Sequence, residues 1–147
     1  MNDAPRIRHI RPADAQAVAV LAKQLGYVRT SEQVLQWIEK MDARSDQIAF
    51  VAELSGEVVG WIEVSLVHHL QSDPSGLIGG LVVRDGLRGA GVGRQLCEHA
   101  ERWTQQQGVN LMRVTSRSTR EAAHRFYLRD GYRQTKVSMV FEKALEP

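Results

Sequence analysis

The order of apolar and polar positions predicts a short first strand followed by two helices. Residues 6–11, RIRHIR, alternate between apolar and charged side chains, as a strand with one solvated face does. Residues 12–26, PADAQAVAVLAKQLG, have a proline near the start and a glycine at the end, which is typical of a helix. In the next apolar stripe, residues 30–41, Thr30 and Gln33 have the spacing of a capping box. A second helix is therefore predicted to begin at this point.

The middle of the chain reads as strands. Residues 47–54, QIAFVAEL, and residues 57–67, EVVGWIEVSLV, are apolar runs joined by Ser55–Gly56, which predicts a hairpin. Residues 68–76, HHLQSDPSG, are rich in turn formers and are predicted to be a loop. The apolar run LIGGLVV, residues 77–83, is predicted to be the next strand.

The second half of the chain continues this alternation of strands and helices. After a glycine-rich loop, Val92, Leu96, Ala100 and Trp103 form one apolar stripe of a helix that ends near Gly108. The remaining predicted elements are a strand, a helix and a strand, at residues 110–116, 119–130 and 132–145. The resulting order is β-α-α-β-β-β-α-β-α-β, without repeats or linkers. It predicts a single mixed α/β domain spanning residues 1–147.

Composition and charge narrow the class of protein. The chain has 147 residues and a formal net charge of +2, from 19 basic and 17 acidic residues. This balance argues against nucleic acid as a partner, because such proteins carry a strongly basic face. No window approaches the roughly 18 apolar residues of a membrane helix, and the first residues lack the apolar core of a signal peptide. A cytoplasmic location without membrane association is expected.

The glycine-rich loop does not match two familiar phosphate-binding motifs. A dinucleotide fingerprint needs Gly-x-Gly-x-x-Gly, and Gly89 and Gly91 fit, but Arg94 occupies the third position. A P-loop needs Gly-x-x-x-x-Gly-Lys, and Gly86 and Gly91 have that spacing, but Val92 follows. Neither a dinucleotide site nor a P-loop is predicted.

A third kind of phosphate site remains. The pattern of strand, Arg-x-x-Gly-x-Gly and helix places Arg88, Gly91 and Gly93 where amide groups converge at a helix N-terminus. These donors favour an anion such as a pyrophosphate, and Arg94 can add a charge-assisted contact. The alternative is a glycine-rich turn that binds no ligand.

Two separated segments resemble one known family. LVVRDGLRGAGVGRQLCEHAERW, residues 81–103, is similar to the acetyl-CoA loop of the GCN5-related N-acetyltransferases (GNAT). AAHRFYLRDGY, residues 122–132, is similar to the late Ala-x-x-Phe-Tyr-x-x-x-Gly-Phe/Tyr segment of that family. The resemblance implies the GNAT fold, a mixed sheet whose central strands splay apart, and acetyl-CoA as the acetyl donor, without a metal.

The resemblance also implies which residues hold acetyl-CoA. The pantetheine would lie along the backbone of Leu81, Val82 and Val83. The pyrophosphate would be bound by Arg88, Gly89, Ala90, Gly91, Val92, Gly93 and Arg94. The amide of Val82 or Val83 would polarise the acetyl carbonyl.

Catalytic roles follow from the same resemblance. Tyr127 matches the tyrosine that acts as general acid toward the CoA sulfur, although its place on an apolar helix face also fits a core residue. Many relatives carry a glutamate two residues before Leu81, where this chain has Gly79. The alternatives for the base are Glu63, His68 and other acids and histidines near the end of the same strand, or a water that relays the proton.

The sequence gives less information about the amine acceptor and about the oligomeric state. The resemblance implies direct transfer to a primary amine of a small molecule or a peptide, and Gly79 leaves a non-catalytic acyl-CoA-binding module as the alternative. Cys97 is expected to be a small buried residue. The short C-terminal segment resembles aminoglycoside and small-amine acetyltransferases, and its strand is expected to be completed by a second subunit in a homodimer.

Overall fold

The elements follow the predicted order as far as the last helix. The structure, a computed structural model, describes residues 4–87 and 90–147. The strands are β1 (Arg6–His9), β2 (Gln47–Leu54), β3 (Glu57–His69), β4 (Ser72–Val83) and β5 (Met112–Val114). The helices are α1 (Ala15–Gln24), α2 (Ser31–Asp42), α3 (Val92–Gln106) and α4 (Glu121–Arg129), and a 3₁₀ turn, Pro12–Asp14, precedes α1. A first compact unit ends at Thr115, and a second comprises Ser116–Pro147.

The five strands form one sheet in the order β1-β2-β3-β4-β5, covered by helices on both faces. Neighbouring strands are antiparallel except for β4 and β5, which are parallel and joined through α3. On one face, α1 and α2 pack over a cluster of apolar side chains that includes Val18, Ile38, Ala49 and Val51. On the other face, the ring of Phe50 lies 5.7 Å from that of His99 on α3. The mixed α/β sheet is as predicted.

An ion-pair network fixes the first strand to the second. Arg8 of β1 donates to both carboxylate oxygens of Asp14 at 2.9 Å and to Glu53 of β2 at 3.0 Å. Burial alone raises the pKa of Asp14, but the hydrogen bonds from Arg8 and from the Arg11 amide outweigh it and hold that pKa below its ordinary value. The charged pair therefore stabilises the fold at neutral pH.

The predicted loop at residues 68–76 is wrong. β3 continues to His69 and β4 begins at Ser72, so only a two-residue turn separates the strands. Turn-forming residues are tolerated because the ladder is irregular between Val67 and His69, and Pro74, which has no amide to donate, lies within that irregularity.

The predicted closing strand at residues 132–145 is also absent. In the second unit, α4 is followed by a segment without regular structure, residues 133–147, whose side chains are exposed. A strand persists only where its backbone pairs with a neighbour, and within the second unit no described strand is present to pair with this segment. Within the described residues, no helix is long and apolar enough to cross a membrane.

Candidate active site

The strand β4 stays paired with β3 but loses its pairing with β5 at Gly79. Its parallel pairing with β5 joins Gly76, Leu77 and Ile78 to Met112, Arg113 and Val114, and no pairing with β5 continues beyond Ile78 in the described chain. The register with β3 shifts at the same point, because Glu63 pairs with Gly80 whereas Val64 pairs with Ile78. Gly79 is therefore the extra residue of a β-bulge, which bends a strand and increases its twist. From Gly79 to Val83 the second edge of β4 offers backbone groups to a ligand.

The glycine loop ends at an uncapped helix N-terminus. Gly91 is the residue before α3, and its φ of +83° is a left-handed conformation that glycine adopts without strain. Within residues 4–87 and 90–147, no side chain caps this end, so the first-turn amides, beginning with Val92 and Gly93, can bind an anion. Arg94 is exposed in that turn and lies 3.4 Å from Glu98. Of the predicted phosphate-binding residues, Arg88 and Gly89 lie outside the described residues.

The side chain of Gln24, which was not predicted to be a functional residue, holds the start of this loop. The side chain of Gln24, the last residue of α1, donates to the Val83 carbonyl at 2.7 Å and accepts from the Asp85 amide at 2.9 Å. Arg84 between them donates to Glu57 at 3.0 Å. These contacts hold the end of β4, where the strand leaves the sheet. Nothing in the local spacing identifies Gln24, because its partners lie about sixty residues away.

A cleft of about 430 Å³ opens between the helices α1 and α2 and the sheet, beside the bulge. Ligand sites of small molecules have volumes of roughly 300–1,000 Å³, so its size suits a small acceptor. The helices and the segment between them contribute Val18, Ala22, Leu25, Tyr27, Arg29, Val34, Trp37, Ile38 and Met41. The sheet contributes Ala49, Trp61, Glu63, Gly79 and Gly80, and Ile10, which follows β1, completes the lining.

Glu63 is the carboxylate of this cleft. It is half-buried on β3, and Trp37 of α2 donates its indole N–H to Glu63 Oε2 at 3.2 Å. A Cβ atom built on Gly79 would lie 2.9 Å from Glu63 Oε1. The Glu63 carboxylate therefore occupies the space into which a side chain at position 79 would extend. The space that a side chain of β4 would fill is therefore filled by an acid of β3.

Gly80 has a similar relation to Trp61. A Cβ atom on Gly80 would lie 2.8 Å and 2.9 Å from two carbons of the Trp61 indole. Since real Cβ atoms avoid such approaches, the ring can lie over the strand only because position 80 is glycine. The adjacent glycines leave room for an aromatic wall and a carboxylate on one face of the sheet.

Comparison with known proteins identifies the family. The model of the acetyltransferase (GNAT) family matches residues 15–132. The chain belongs to this family. It is 33% identical to aminoglycoside N(6')-acetyltransferase type 1 of Stenotrophomonas maltophilia, over 98% of this chain and 96% of that protein. It is 41% identical to aminoalkylphosphonate N-acetyltransferase of Salmonella typhimurium (strain LT2), over 62% of this chain and 58% of that protein.

Solved structures agree on the fold. AAC(6')-Iy in complex with the bisubstrate analogue CoA-S-monomethyl-acetylneamine superimposes with a TM-score of 0.85 at 20% identity, covering 97% of this chain and 100% of that one. The predictions of the GNAT fold and of an acetyl-CoA-dependent N-acetyltransferase are confirmed at the level of fold, family and class of enzyme.

The other predicted residues of this acetyltransferase lie in different surroundings. His68 is exposed near the end of β3 and does not line the cleft that contains Glu63. Tyr127 belongs to the second unit, where its ring lies 5.3 Å from Phe126 and 5.7 Å from Tyr132. Cys97 is fully buried on α3, as expected for a structural residue. Among the described residues, no group of His, Cys, Asp and Glu could hold a metal ion.

Proposed function

We propose that this acetyltransferase moves the acetyl group of acetyl-CoA directly to a primary amine of a small molecule bound in the cleft beside β4. The observation that carries the proposal is the position of Glu63, which lies in that cleft and beside the strand edge that β5 leaves unpaired. A proton acceptor and a backbone edge for the donor therefore lie next to each other.

The chain has suitable groups for acetyl-CoA. The edge of β4 that β5 leaves unpaired, at Leu81, Val82 and Val83, suits the amide-containing pantetheine, which can pair with a strand edge, although the Val83 carbonyl already accepts from Gln24. The uncapped start of α3 suits the pyrophosphate, with Ala90, Gly91, Val92, Gly93 and Arg94 nearest to it. Arg88 and Gly89 are assigned to the same group from the sequence alone.

Three groups of the protein would share the chemistry. Acetyl-CoA supplies the acetyl group as a thioester. Glu63 would accept the proton that the amine must lose before its nitrogen bonds to the acetyl carbon. The amide of Val82 or Val83 would donate to the acetyl oxygen, where negative charge develops. Tyr127 would give its hydroxyl proton to the sulfur as the carbon–sulfur bond breaks.

The alternative of a non-catalytic acyl-CoA-binding module rested on the glycine at position 79, where an acid was expected. Because the Glu63 carboxylate fills the space beside Gly79, that reason no longer holds. His68 remains an alternative base only through a water relay, since it does not line the cleft. We therefore assign the base to Glu63.

The proposal includes a cytoplasmic homodimer. In the segment 133–147, the apolar side chains of Val137, Met139, Val140 and Phe141 are more than 70% exposed. A short apolar run of this kind fits a strand that pairs with a second copy. Sedimentation equilibrium of the full chain tests this, with a dimer expected and a monomer at all concentrations contradicting it.

The function is tested by CoA release over a panel of small amines, using Tyr127→Phe and the matched control Tyr132→Phe. We expect Tyr127→Phe to lower kcat by about 10²-fold to 10⁴-fold while the affinity for CoA is retained, because only the acid is lost. Tyr132→Phe should keep most of the activity. CoA binding without turnover of any amine would overturn the proposed function, and a wild-type rate in Tyr127→Phe would overturn the general-acid role.

A further inference from the structure

The charged side chains that line the cleft have opposite signs and come from different elements of the fold. Its charged lining residues are Glu63, on the sheet, and Arg29, in the segment between α1 and α2. The rest of the lining is apolar or aromatic, apart from the polar edges of Tyr27 and of the two tryptophans. An acceptor in this cleft therefore meets one negative and one positive side chain.

A second depression continues from Arg29. It has a volume of about 350 Å³, and it is lined by Gln16, Ala19, Val20, Lys23, Val28, Arg29, Thr30 and Ser31. Of the described residues that line it, two are cationic and none is acidic, and Glu32 and Glu39 of α2 line neither depression. Among the described residues, neither Lys23 nor Arg29 forms an ion pair. Both are exposed and available to an anion.

This inference rests on the proposed function and specifies its substrate class. We infer that the acceptor is a small amine with an anionic group at its other end, a phosphonate or a phosphate. The amine lies toward Glu63 and the anionic group lies toward Arg29, with Lys23 as the second cation. A guanidinium binds phosphonate and phosphate oxygens through charge-assisted hydrogen bonds, often two at once.

The same charges disfavour a polycationic acceptor. An aminoglycoside carries several ammonium groups, and each needs a carboxylate or a carbonyl when water is removed from it. The cleft supplies one carboxylate, and Arg29 repels a second ammonium in the same space. Of the two relatives with known acceptors, the cleft matches the charge of an aminoalkylphosphonate better than that of an aminoglycoside.

The test compares three acceptors at saturating acetyl-CoA: 3-aminopropylphosphonate, n-butylamine of similar length, and neamine. We expect kcat/KM for the phosphonate to exceed that for n-butylamine by about 10-fold to 100-fold, the usual value of a hydrogen bond between charged groups. Arg29→Gln should remove this preference mainly by raising KM for the phosphonate, so that kcat/KM for the phosphonate falls to about that for n-butylamine. Lys23→Gln should reduce the preference by a smaller factor.

A matched control and two opposite outcomes make the test decisive. Arg6→Gln removes an exposed arginine that lines neither depression, and it should change nothing. A preference for neamine that persists in Arg29→Gln would overturn the inference. So would a higher KM for acetyl-CoA in Arg29→Gln at an unchanged KM for the phosphonate, because Arg29 would then serve the donor.

Binding separates this inference from the proposed function. If no amine is acetylated, the proposed function fails, and calorimetry with 3-aminopropylphosphonate in the presence of CoA still tests the anion site. Binding by the wild type that Arg29→Gln weakens at least about 10-fold would support the site. Equal binding by both proteins, or none by either, would overturn it.

Discussion

If Glu63 is the base, a carboxylate on β4 at position 79 should be able to replace the one on β3 in the same reaction. The first change is Glu63→Gln, which keeps the size of the side chain and removes the proton acceptor. A positioned general base contributes about 10²-fold to 10⁴-fold, so kcat should fall by that factor. The second change is Glu63→Ala combined with Gly79→Glu, which restores the acid at the position where many relatives carry it.

The geometry indicates how each variant should behave. A Cβ at position 79 lies 2.9 Å from Glu63 Oε1, so Gly79→Glu alone brings two carboxylates close together. At about 4 Å and an effective dielectric constant of about 20, their repulsion is roughly 4 kcal/mol, which displaces the Glu63 carboxylate from its position. Gly79→Glu alone should therefore lower the activity. In the double variant the shortened side chain at position 63 clears the space, and we expect at least about 10-fold recovery relative to Glu63→Ala, a small part of the general-base factor.

The assay is the pre-steady-state burst or steady release of CoA with one amine that the wild type acetylates. Trp37→Phe is the matched control, because it removes the hydrogen bond to Glu63 but keeps an aromatic ring in place. It should lower kcat by less than Glu63→Gln does, because one hydrogen bond to the carboxylate is lost but the proton acceptor is kept. A wild-type rate in Glu63→Gln would refute the base, and a double variant no faster than Glu63→Ala would refute the equivalence of the two positions.

Two further predictions concern stability and the donor. Asp14→Asn should lower the free energy of unfolding by about 2 kcal/mol at pH 7, measured in urea, because it removes the bidentate partner of the partly buried Arg8, whose charge then relies on Glu53. Since the pKa of Asp14 is lowered in the fold, this stabilisation exists above the ordinary carboxyl pKa of about 3.9 and is lost as the pH falls through the lower folded value. The difference from wild type should therefore shrink in acid, and a constant difference would contradict the charge argument. Gly91→Glu should raise the Kd for CoA by at least about 10-fold through its left-handed φ and its negative charge, with Gly56→Glu as a control of similar φ; unchanged affinity would contradict the anion site.

Features set by neighbouring residues were predictable from the sequence. The capping box of α2 is an example, because Thr30 and Gln33 bond each other's amides at 3.0 Å as their spacing indicates. The closing strand was not predictable, because alternating side chains show that a segment can be a strand but not whether a partner strand is present. The hairpin turn at residues 70–71 was missed because cross-strand pairing outweighed local turn preferences.

The proposed base could be found only from contacts between strands. Glu63 and Gly79 are sixteen positions apart, and only the pairing of β3 with β4 brings them together. One signal was nevertheless present, since two adjacent glycines inside an apolar strand indicate a bulge or a close approach of other atoms. That signal would have located the bulge but not the side chain that fills the space.

The roles of Gly79 and Gly80 can therefore be recognised only in the assembled sheet. Read along the chain, Gly79 is the loss of an acid that relatives carry, and it weakens the case for catalysis. In the sheet, Gly79 gives Glu63 the space for its carboxylate, and Gly80 gives Trp61 the space for its ring. Because the bulge also marks where β4 leaves β5, the residues that admit the base lie beside the edge proposed for the donor. If Glu63 is the base, an acid on either strand can serve the same reacting atoms, which is the equivalence that the Glu63→Ala, Gly79→Glu variant examines.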